Sequence, residues 1–178
     1  MKQYSFNIFL AIILFAAGLV IADLAPANAQ SRGDMESLAE QAIIVWNTGN
    51  TAIADQIFSP DFTFQYVDNK DPEISPEMKG TAKLIDHINW LRKAYPDMKF
   101  KVDHINVDGD EVIARVTFTG TNMGPRGDMP PTGKKVELST AWFFKIKDGV
   151  IVEQLFYANL ASVYDQLGFT LTPPSQEK

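Results

Sequence analysis

The feature that most limits the possible folds is a run of alternating segments near the C-terminal end. Lys99–Val107, Glu111–Thr121, Lys135–Lys145 and Val150–Tyr157 each read as a β-strand by their period of two. Asp108-Gly109 joins the first two and Asp148-Gly149 the last two. Asp-Gly between alternating strands marks a tight hairpin, because glycine supplies the positive φ that the turn requires. Residues 122–134 are rich in glycine and proline and form the long loop between the middle strands. Most of the second half is therefore an antiparallel sheet.

Helical spacing dominates ahead of it. Met35, Leu38, Ala39, Ala42, Ile43 and Trp46 share one face, with Asp34 as a candidate cap and Gly49 as a stop. Thr51 can cap a second short helix carrying Ile53 and Ile57, which Pro60-Asp61 ends. Phe62–Val67 reads as an aromatic-rich strand and Asp68–Gly80 as a loop. A third helix spans about Thr81–Ala94, with Leu84, Ile88, Leu91 and Tyr95 on its apolar face, and stops before Pro96. Asn159–Leu167 reads as a short closing helix, followed by a polar tail over 170–178. Helices followed by a run of antiparallel strands give an α+β domain, with a sheet curved around the helices and a pocket at its open end.

The N-terminus carries a different signal. Lys2 precedes an unbroken apolar run from Ile8 to Ala22, and Ala27-Asn28-Ala29 supplies a small-x-small cleavage site. That order of parts is a secretory signal peptide over residues 1–29, cut after Ala29. The alternative is an uncleaved anchor, but a spanning helix needs about 20 apolar residues and this run is shorter. Cleavage leaves 149 of the 178 residues, enough for one domain over 30–169 with a core of its own. The expected location is a periplasm, a lumen or the outside, with no membrane attachment after cleavage.

Charge and cysteine content remove several function classes. The net charge is −6 and no basic run is present, which disfavours nucleic acid and anionic lipid as partners. The chain has no cysteine, hence no disulfide, thiol nucleophile or thiolate metal site. His87 and His104 are the two histidines, without matching carboxylate spacing, so no metal site is expected. Arg-Gly-Asp occurs at 32–34 and 126–128; so short a triplet in glycine-rich segments is weak support for receptor adhesion.

Several motifs in order resemble one family. These are Gly80 leading into a helix that ends Tyr95-Pro96-Asp97, then Gly109-Asp110-Glu111-Val112, then Arg115 to Thr121. Pro131-Thr132-Gly133-Lys134 follows, then Ile146 to Glu153, closing on Gln166-Leu167-Gly168. Together they are similar to the SnoaL-like polyketide cyclases, or ester cyclases, of the NTF2-like superfamily, over about Leu38–Gly168. The resemblance implies a conical α+β barrel with an internal pocket, usually a homodimer or homotetramer. It implies ring closure of a polyketide by an intramolecular aldol reaction, without metal or organic cofactor. An acidic residue in the pocket handles the proton.

At the position of that acid this chain has Asn159, which can hold a substrate oxygen but cannot shuttle a proton near neutral pH. The family's histidine after Gly-Thr is Asn122 here, and a further histidine position corresponds to Gln65. The resemblance therefore points to a pocket that binds a small, partly apolar carbonyl or polyketide-like molecule. Asn159 and His87 stand at the possible chemical positions, with Gln65, Tyr66, Trp142, Asn122, Trp46 and Tyr157 as candidate binding residues. One alternative is an active cyclase, isomerase or hydrolase with a relocated base, His87 first, then Asp86 or Glu153. Another is an assembly module whose outer sheet face, including Arg115, engages a partner.

Overall fold

Caps and apolar spacing set the helices. In the computed structural model, which describes residues 30–67 and 78–170, helix α1 spans Arg32–Thr48 and stops at Gly49. Its cap is Ser31, whose hydroxyl accepts from the Asp34 N–H, so Asp34 is inside the first turn rather than the cap. Helix α2 spans Thr51–Ile57 and is capped by Asn50, one residue before the expected Thr51. Strand β1 follows directly over Phe58–Tyr66 and runs through Pro60-Asp61. A proline is tolerated there because the pairing of β1 shifts register between Phe58 and Thr63. A short strand β2, Met78–Lys79, pairs with β1, and helix α3 covers Thr81–Ala94.

The four expected strands are β3 Lys99–Asp108, β4 Glu111–Thr121, β5 Lys135–Lys147 and β6 Val150–Tyr157. Helix α4, Leu160–Leu167, closes the described chain. The β5–β6 turn is Asp148-Gly149, with φ of 50° and 84°, the pair of positive values expected for a two-residue hairpin. The β3–β4 turn is instead Gly109-Asp110, one residue later than the Asp-Gly pair suggests. The Asp110 side chain then accepts from Lys145 Nζ at 2.7 Å.

The sheet order is β2-β1-β6-β5-β4-β3. It is mixed rather than purely antiparallel, since β1 runs parallel to β6. It is strongly curved. Trp46 on α1 is 5.2 Å from Phe64 on β1 and 5.5 Å from Phe100 on β3, measured between ring centroids. In a flat sheet those strands, four places apart in the order, would lie about 19 Å apart. The curve does not close into the expected barrel: among the described residues β2 and β3 are the two edges.

One face is the core. Phe62 and Phe64 on β1, Phe156 on β6, Trp142 and Phe144 on β5, Val116 and Phe118 on β4 and Phe100 on β3 all point inward and are buried. Helix α1 is tied across the sheet edge by Asn47, whose side chain donates to the Phe100 carbonyl and accepts from the Phe100 N–H, both at 2.8 Å. The expected signal segment, 1–29, and most of the expected polar tail lie outside the described residues. No helix among the described residues is long and apolar enough to cross a membrane.

Candidate functional site

The inner face of α3 supplies the central polar group. Leu84, His87, Ile88 and Leu91 recur at helical spacing and are buried against the sheet. His87, 7% exposed, meets the last residue of β1: Tyr66 Oη and His87 Nε2 are 3.0 Å apart. Trp90 stacks on the imidazole at 5.4 Å and Trp46 meets it edge-on at 5.9 Å. Burial in this aromatic cage lowers the His87 pKa to about 4, and the positive charge of Arg126 acts in the same direction. His87 is therefore neutral at pH 7. Burial pushes Tyr66 above the ordinary phenol range, with Arg126 opposing, so its hydroxyl keeps its proton. One of the two groups donates and the other accepts, according to the imidazole tautomer.

A partly open cavity of about 50 Å³ lies beside this pair. Tyr66, Trp90, Tyr95, Phe100, Phe156 and Arg126 form much of its wall, with further apolar side chains from α3, β4, β5 and α4. The volume suits a few waters or one end of a small molecule; a drug-sized ligand needs roughly 300 Å³ or more, so a larger ligand would have to protrude through the mouth or displace wall segments. No carboxylate is in the wall among the described residues. No group of three histidine, aspartate or glutamate side chains among the described residues could hold a metal ion.

Arg126 reaches the cavity from the 122–134 loop, which is firmly seated. The Met123 and Gly124 N–H groups donate to the Ala94 carbonyl at the end of α3. Gly124 is required there, since a Cβ would collide with the Lys93 carbonyl oxygen. Arg126 and Met129 exchange backbone hydrogen bonds of 3.0 and 3.1 Å. The guanidinium sits 5.4 Å from the centre of the Tyr164 ring on α4.

The sequence-derived candidates fall into three groups. Tyr66 lines the cavity, and His87 is bonded to it from behind. Trp46 and Trp142 are buried behind it as core: Trp46 Nε1 donates to Gln154 Oε1 at 3.4 Å and Trp142 Nε1 to Thr140 Oγ1 at 2.8 Å. Asn122 is buried but spent on its own loop, donating to the Gly124 carbonyl and accepting from the N–H and hydroxyl of Thr132.

The remaining candidates are on the opposite side of the sheet. Gln65 alternates with the inward Phe64 and Tyr66. Tyr157 is 41% exposed and packs on Phe143. Asn159 is exposed and caps α4, accepting from the Ser162 N–H at 3.2 Å. With Tyr157, Arg115, Ser139 and Ala141 it lines an open outer cleft of about 500 Å³, away from His87. His104 is exposed: β3 shifts register between Val102 and His104, which pairs His104 with the outward Arg115. Arg126 and Tyr95 are the polar cavity residues that sequence reasoning did not single out for the site.

The comparisons agree with this architecture. No protein of curated function matches the sequence. A candidate hydroxylase, AclR from Streptomyces galilaeus, shares 25% identity at a TM-score of 0.66, covering 82% of this chain and 91% of its own. A candidate SnoaL-like polyketide cyclase from Jannaschia sp. CCS1 has the same fold at a TM-score of 0.68, 20% identity and coverage of 82% and 99%. An epoxide hydrolase of the LEH-like type from M. tuberculosis shares the fold at 0.58 and 13% identity, covering 76% of this chain and 90% of its own. The model of the SnoaL-like polyketide cyclase family matches residues 36–167, and the chain belongs to that family.

Proposed function

We propose that this protein captures a small, partly apolar carbonyl compound in the inner cavity, outside the cytoplasm, without the aldol cyclisation associated with its family. The observation that carries this reading is the composition of the cavity wall: aromatic and aliphatic side chains, the Tyr66 hydroxyl with His87 bonded to it from behind, and, among the described residues, no carboxylate. Tyr66, on the wall, can donate to a carbonyl oxygen when the imidazole Nε2–H donates to it, and the aromatic walls suit a flat body. An aldol closure needs a base that removes a carbon-bound proton and returns it. Asn159 is an amide engaged in a helix cap, and His87, with a pKa near 4, is a weak base. The signal sequence supports export, which separates the protein from a polyketide synthase. Family resemblance and the open outer sheet face support a homodimer, which sedimentation velocity at micromolar concentration would detect.

The test is a cyclisation assay with a linear polyketide ester, run beside a binding measurement. The expected result is ligand binding with cyclisation at the background rate. Turnover that Asn159→Ala abolishes would overturn the binding-only reading. A second reading, an isomerase or hydrolase with His87 as base, draws on the 3.0 Å contact between Tyr66 and His87. It requires a pH–rate profile that disappears in His87→Ala.

A further inference from the structure

Arg126 is the unexplained group of the cavity. It is 5% exposed, yet it carries a permanent charge. Its Nε and Nη1 have no hydrogen-bond partner among the described residues, and it takes part in no ion pair with any of them. Among the described residues, the group of opposite polarity that it meets is the face of the Tyr164 ring. An unpaired buried guanidinium is strongly destabilising, and arginine cannot escape by losing its proton. The loop that carries it is fastened at both Gly124 and Met129, so the side chain is held in the cavity rather than collapsed there from the surface. Tyr95 contributes a second polar atom to the same wall: its Oη is buried and also without a partner among the described residues. The Arg126 charge acts on Tyr66, His87 and Tyr95 alike, which puts all three within its field. Among the described residues, the cavity thus has one fixed positive charge, uncharged donors and apolar walls.

We propose that the cavity binds a small monocarboxylate, with Arg126 as the partner of the carboxylate and Tyr95 as an additional donor. This deepens the reading of the cavity as a small-molecule site and rests on it. A single negative charge matches a single guanidinium. The apolar walls accept the aromatic ring or short alkyl chain of such an acid. A phosphate would bring a second charge and oxygens that these walls cannot satisfy.

Isothermal titration of the purified protein at pH 7 with two matched pairs tests the proposal: benzoate against benzamide, and butyrate against butyramide. Each pair keeps its body and its carbonyl and differs in charge. The expected result is a preference for the acid of roughly tenfold or more in at least one pair. Arg126→Met should erase that preference while amide binding persists, and should raise the melting temperature of the free protein by removing an unpaired charge. Equal binding of acid and amide by the unmodified protein would overturn the carboxylate assignment and leave the small-molecule site standing. Binding of neither member of either pair would overturn both. A melting temperature lowered by Arg126→Met, with acid binding unchanged, would make Arg126 a structural residue and also overturn the assignment.

Discussion

His87 acts on stability as well as on the site. Its folded pKa is about 4, against an ordinary value near 6.5, because burial penalises the charged imidazole. The unfolded chain therefore binds more protons than the folded one between those values. Stability is full above about pH 6.5 and falls as pH drops toward 4, by up to about 3 kcal/mol from this group. Urea denaturation at pH 7.5 and pH 4.5 should show a smaller acid loss in His87→Gln than in the unmodified protein; parallel losses would contradict the burial account. This histidine is legible in the sequence because it recurs with Leu84 and Leu91 on one helix face. Arg126 is not. It belongs to a glycine- and proline-rich loop with no period, so its direction is set by the contacts of Met123 and Gly124 with Ala94, far away in sequence. Asn122 and Asn159 are amides whose bonds are local, one closing a loop and one capping a helix. A family position alone does not reveal that engagement.

The elements follow their patterns more closely than their ends do. Alternation places β4 and β5 correctly, with Val112, Ala114, Val116 and Phe118 inward and Arg115 outward. Departures occur where one residue changes the local geometry, as at the β3 bulge that exposes His104 and the strand pairing that carries Pro60. The parallel pairing of β1 with β6 joins segments nearly a hundred residues apart, and no local spacing encodes it. At α4 the prediction is specific. Asn159→Ala should cost about 1 kcal/mol through the lost cap, and Asn159→Asp should retain most of it. Acid binding in the inner cavity should be unchanged in both variants. A tenfold loss of that binding in Asn159→Asp would place Asn159 in the site and contradict its position on the outer cleft.

At the scale of the whole molecule, Trp46 is the hub that fixes the curvature. Its indole meets aromatic rings on β1, β3, β5 and β6, so one side chain spans the width of the sheet. Trp46→Ala should destabilise by roughly 3–5 kcal/mol, measured by urea titration; a loss under 1 kcal/mol would mean that the curve does not depend on it. The curvature is what brings α3, α4 and the 122–134 loop around one cavity; Asn159 lines the outer cleft instead, and its neighbour Ala158 borders both. The central claim is that ligand chemistry belongs to the inner cavity with Arg126, not to the outer cleft with Asn159. A crystal structure grown with benzoate tests this most directly. The account predicts a carboxylate within hydrogen-bonding distance of Arg126, its ring among Tyr66, Trp90 and Phe156. Benzoate bound instead in the outer cleft, against Arg115 and Asn159, would contradict it.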